Sequence, residues 1–74
     1  MIRELDLVVL SRDLPEKGLR AGDVGTVVHI HRRGAGYEVE FATLTGETLA
    51  VVTLPAGSLR PIGPREIAHA RSVA

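Results

Sequence analysis

The run His29-Ile30-His31-Arg32-Arg33 sets two imidazoles at alternate positions and follows them with two guanidinium groups. Alternate residues of a strand share a face, so His29 and His31 can address one ligand together. Glu38 or Glu40, returning on the next strand, offers a carboxylate, and two imidazoles with one carboxylate are acceptable zinc chemistry. Histidines at this spacing are also ordinary on a solvated strand face. His29 and His31 are therefore metal candidates, with no metal and no cofactor assigned to them.

The arginines suggest a different chemistry. Arg32 and Arg33, joined by Lys17 and Arg20, can contact phosphate oxygens, as an RNA- or DNA-binding surface requires. Two features oppose it. Glu38 and Glu40 should lie beside the histidines and arginines and neutralise them, and Tyr37 and Phe41, the only aromatic residues, alternate onto an inward face that offers no base-stacking platform.

Catalysis has less support. There is no cysteine. Ser11, Ser58 and Ser72 lack the glycine-flanked, strand-to-helix context of a nucleophile elbow, and an exposed carboxylate pair without an occluded pocket is a weak acid/base couple. The expectation is a protein that is not an enzyme.

Seventy-four residues, 45% hydrophobic and 24% charged, suit one soluble domain near the lower limit of independent folding. Nine basic and nine acidic side chains cancel, which removes the global attraction to phosphate that most nucleic-acid-binding domains use. With no cysteine, no signal-like segment and no apolar run long enough to span a bilayer, the expected setting is cytoplasmic.

The elements that position these side chains read as strands. Residues 6–10 (DLVVL) are aliphatic and β-branched, and a long loop with Pro15, Gly18 and Gly22 follows, pinned to the body by Leu14 and Leu19. The next strand is expected from Val24 to Arg32, with Gly25 permitting a bulge or a close approach of another strand. Tyr37, Val39 and Phe41 then alternate with Glu38 and Glu40, and a short final strand lies in SLRPI.

Thr45-Gly46 reads as a two-residue turn. It would pair Leu44 with Glu47, Ala42 with Leu49, Phe41 with Ala50, Glu40 with Val51 and Val39 with Val52. Leu49 and Val51 then point away from a core that receives Ala50, Val52 and Leu54. An apolar outer face implies a cover, supplied by Met1–Leu5, the C-terminal tail or another chain.

Five short strands joined mostly by tight turns predict an all-β chain: a small five-stranded SH3-like barrel over residues 1–62, with residues 63–74 as a C-terminal tail or short helix opening at Pro64. The expected core is Val8, Leu10, Val24, Val27, Ile30, Val39, Phe41, Ala50, Val52 and Leu59.

Gly25-Thr26-Val27-Val28-His29-Ile30 resembles the G-x-V-x-x-I core of KOW-type ribosomal and transcription-factor barrels, and GDVGTVVHI is similar to the small barrel of the nitrile hydratase β subunit. Across nearly the whole chain, MIRELDLVVLSRDLPEKGLRAGDVGTVVHI, YEVEFATLTGETLAVVTL and LRPIGPREIAHAR resemble a family of short, uncharacterised bacterial proteins that share a domain of unknown function. That resemblance implies a stand-alone bacterial protein with an antitoxin-like or immunity-like partner, and it brings no catalytic or binding residues. The leading expectation is a protein-interaction module that binds another protein or itself through Leu44, Leu49 and Val51, without a membrane. The alternatives are the KOW-like nucleic-acid barrel and, more remotely, a metal-handling or enzyme-accessory subunit.

Overall fold

A computed structural model describes residues 1–73. Five antiparallel strands, β1 (Leu7–Leu10), β2 (Val24–His31), β3 (Gly36–Ala42), β4 (Thr48–Pro55) and β5 (Leu59–Pro61), form a single sheet in the order β4-β3-β2-β1-β5. The protein is a small all-β domain. Among the described residues the only helical pieces are single 3-10 turns at Pro15–Lys17 and Ala56–Ser58. No described helix is long and apolar enough to cross a membrane.

The sheet folds around one cluster drawn from every strand. Val8, Leu10, Val27, Val39 and Phe41 are fully enclosed, and Tyr37, Leu54 and Leu59 complete the strand contribution. Each such side chain contributes about 1.5–3 kcal/mol relative to remaining in water. Leu14 and Leu19, both 3% exposed, bridge to one another and plug the long loop into this core. Ordered loop and strand face therefore belong to one packing unit.

A closed barrel does not form, because β4 and β5 pair with β3 and β1 respectively and not with each other. The 3-10 turn at Ala56–Ser58 carries the chain from one edge to the other without lateral hydrogen bonds between the two strands.

Two irregularities set which side chains face outward. Between Val27 and His29 the β2–β3 register slips, so Val27 opposes Val39 while His29 opposes Glu38, leaving Val28 as an extra, bulged residue. Inner positions accordingly run Gly25, Val27 and then Ile30, which packs against the core. Val24, expected inside, is 41% exposed, because strand alternation puts it on the face opposite Gly25 and Val27. Gly25 itself permits close approach: a Cβ there would stand 2.5 Å from Val39 Cγ1 and 2.9 Å from Phe41 Cε1.

The second irregularity lies in β4. The Gly46 amide donates to the Thr43 carbonyl, and the Thr43 amide donates to the Glu47 carbonyl, enclosing a three-residue loop with Gly46 at φ +99°. This replaces the expected two-residue turn, since Gly46 readily takes the left-handed position that ends such a loop. Leu44 thus has no partner across the hairpin, and Ala42 pairs with Thr48 instead of Leu49. A bulge at Leu49 then restores the expected pairs of Phe41 with Ala50, Glu40 with Val51 and Val39 with Val52. Ala50 and Val52 are only half-buried because β4 is an edge.

No helix forms in residues 63–73; Ala74, the last residue of the expected tail, lies outside the described residues. Side chains that would have decorated a helix are held elsewhere. Glu66 accepts two hydrogen bonds from Arg60, at 2.8 and 2.6 Å, and a third from the Gly63 amide. Arg71 grips both carboxylate oxygens of Asp23, at 2.9 and 2.7 Å, and donates to the Gly18 carbonyl. Arg60 and the residue after Asp23 both stand opposite Val9 in the sheet, so these anchors draw the tail across β1. Val9 is only 6% exposed although it is not part of the inner cluster.

Candidate functional site

The outer face of β2, β3 and β4 carries the polar constellation and the uncovered apolar residues side by side. The bulge at Val28 turns His29 and His31 outward while Ile30 stays against the core. His31 Nε2 lies 2.9 Å from Glu38 Oε2, and the two imidazole centroids are 4.6 Å apart in an edge-to-face arrangement. His29, His31 and Glu38 can each bring one ligand atom within 4.8 Å of the others. Glu40 is engaged differently, accepting a short hydrogen bond from the Thr48 hydroxyl. Of the two carboxylates offered by the sequence, only Glu38 joins the histidines.

Glu4 adds a group that the spacing alone did not reveal. Its Oε2 lies 3.9 Å from His29 Nδ1. The chain before β1 turns at Leu5, whose φ is +71° and whose amide donates to the Val27 carbonyl. That turn brings Glu4 beside the bulge.

Arg32 and Arg33 form the β2–β3 hairpin tip, and both have left-handed backbones, with φ +48° and +58°. Such geometry costs a non-glycine residue roughly 1–2 kcal/mol. The expected pairing with Glu38 and Glu40 does not occur: among the described residues neither arginine has a carboxylate within ion-pair distance. Lys17 and Arg20 belong to a different hollow of about 670 Å³, which they line with Leu49 and Arg71. Arg32 lines a shallower one with His31, Glu38 and Thr53. The four basic candidates therefore do not share one hollow.

Leu44, Leu49 and Val51 are 90%, 40% and 54% exposed. Leu44 tips the β3–β4 loop, whereas Leu49 and Val51 lie on β4, whose second edge has no strand partner among the described residues. No charged residue interrupts Thr48 to Pro55. The tail borders Leu49 through Arg71 and Val73 without covering it fully.

Electrostatics concentrates at the tail anchors. The Arg71 hydrogen bonds hold the Asp23 carboxyl below its usual range against the opposing effect of burial, helped by the Arg20 amide, which donates to it at 2.8 Å. Arg60 and the Gly63 amide bring Glu66 down to about 2. Neither Arg71 nor Glu66 announces itself by a motif, since each finds its partner through the path of the tail.

An open five-stranded sheet with an uncharged edge strand defines a small all-β domain. The chain belongs to the family described as a domain of unknown function, DUF4926, whose family model matches residues 4–61. No curated protein and no solved structure matches the chain.

Proposed function

We propose that this chain is a non-enzymatic protein-interaction module that receives an extended segment of a partner protein along β4. The observation that carries this reading is the eight-residue edge strand Thr48–Pro55, uncharged throughout, with Leu49 and Val51 exposed beside its free backbone edge. Exposed edges of this kind are normally protected by charge, proline, a bulge or a covering element. Here Pro55 stands at the strand's end and the bulge at Leu49 lies near its start, which leaves Ala50 to Leu54 as a regular edge. Main-chain hydrogen bonds would supply affinity and the apolar face would supply selectivity.

A cytoplasmic partner in an antitoxin-like or immunity-like pairing is one form this function can take. The test is size-exclusion chromatography with light scattering and affinity capture from the native host. Retention of a defined partner by the wild type, lost on Val51→Asp or Leu49→Asp in folded protein, supports the module. Self-association with the same sensitivity identifies a second copy as the occupant. Retention indifferent to both substitutions contradicts the reading.

The Arg32-Arg33 tip, left-handed and without a carboxylate partner among the described residues, favours a second reading, an SH3- or KOW-like barrel relative that binds RNA or DNA. It predicts binding to mixed RNA that weakens steeply with salt and falls on Arg32→Ala/Arg33→Ala.

A further inference from the structure

We infer that His29, His31 and Glu38 form a binding site for a divalent transition-metal ion of the zinc class, with Glu4 beside His29 at its edge. The register slip is the device that builds it. Without an extra residue at Val28, the alternation that buries Gly25 and Val27 would carry His29 and His31 inward and bring Val28 and Ile30 out beside Glu38. With it, both imidazoles and one carboxylate meet on the outer face, and bulges commonly serve to re-aim side chains in this way.

The donor set selects the metal. Two imidazole nitrogens and one or two carboxylate oxygens suit zinc or its neighbours, whereas calcium and magnesium prefer oxygen donors throughout. Ligand atoms around a tetrahedral zinc ion stand on the order of 3.3 Å apart, given bonds of about 2.0–2.2 Å. His31 Nε2 and Glu38 Oε2 are already 2.9 Å apart, and all three residues reach within 4.8 Å. Metal binding would part this hydrogen-bonded pair slightly, displace the proton between its members and draw His29 toward them. Glu4 and Glu38 together balance a divalent charge, while Arg32, at the rim of the same hollow as His31 and Glu38, opposes it.

Such an ion would cross-link β2 and β3. The experiment is isothermal titration of the full chain with zinc chloride, followed by cobalt(II) substitution to report coordination through its visible absorption. Expected are one saturable site per chain and a cobalt spectrum of low coordination number. Affinity should fall at least about tenfold in His31→Ala and Glu38→Gln and be unchanged in His69→Ala, which removes the one histidine outside the site. The thermal midpoint should rise by roughly 10–20 °C at a hundredfold excess of zinc over its Kd. Absence of saturable heat shows that His31 and Glu38 form only a hydrogen-bonded pair, and binding that survives both site variants places the ion elsewhere; either result overturns the inference.

Discussion

His29 opposes Glu38 across the β2–β3 ladder because Val28 is an extra residue in β2. The same bulge keeps Ile30 packed against the core two positions before Arg32. Unequal stability effects at neighbouring residues should follow. Ile30→Ala should cost about 1–2 kcal/mol, less than full burial would give, while His29→Ala should stay within about 0.5 kcal/mol. Urea unfolding of both variants measures this, and similar losses at the two positions would contradict the bulged register.

Gly25 makes a sharper demand on packing. A methyl group there would meet Val39 Cγ1 at 2.5 Å, Phe41 Cε1 at 2.9 Å and the Glu40 carbonyl at 3.0 Å. The last contact is backbone and cannot rotate away. Gly25→Ala is expected to destabilise by about 2–3 kcal/mol, lowering the thermal midpoint by roughly 10–20 °C. A midpoint within a few degrees of wild type would show that β2 does not approach β3 so closely.

The hairpin tip should respond in the other direction. Arg33 has φ +58° and no carboxylate partner among the described residues. Arg33→Gly relieves the left-handed strain while adding backbone freedom to the unfolded chain, for a net gain of about 0.5–1 kcal/mol. Thermal unfolding decides the sign.

Acid should release the tail before it unfolds the sheet. Asp23 and Glu66 both have folded-state pKa values below their usual ones, so their stabilisation is complete above the unfolded values and disappears as pH falls through the folded ones. For Glu66 that window runs from about 4.5 down to about 2. Hydrogen exchange and the Arg71 side-chain signal, followed by NMR through this window, should report loss of the tail anchors. Arg71→Ala should loosen residues near 71 already at neutral pH. A tail equally ordered at both ends of the window would contradict the anchoring.

Much of the sheet was legible from local pattern. The alternation of Tyr37, Val39 and Phe41 with Glu38 and Glu40 defines β3, and the inward Leu14 and Leu19 follow from their place in a charged loop. The spacing of Val27 and Ile30, three apart yet both core-facing, already contained the bulge, because a regular strand cannot bury both. The same phase puts Val24 on the outer face, opposite to Gly25 and Val27. The β4 register survived a wrong turn only because the three-residue loop and the Leu49 bulge compensate. Anchors such as Arg71 with Asp23 join residues 48 apart and depend on the tail's path, which no local periodicity encodes.

The exposed face of β4 gives its own outcome for stability. Val51 is 54% exposed, so Val51→Lys should change folding stability by no more than about 0.5 kcal/mol while abolishing partner retention. A large stability loss would mean that Val51 is covered within the chain.

The role of β4 is tested most directly by hydrogen-exchange mass spectrometry on the chain alone and in complex with its captured partner. Strand addition predicts new protection concentrated in Thr48–Pro55, with the β2–β3 tip at Arg32 and Arg33 unaffected. Protection at that tip with none along β4 would contradict it.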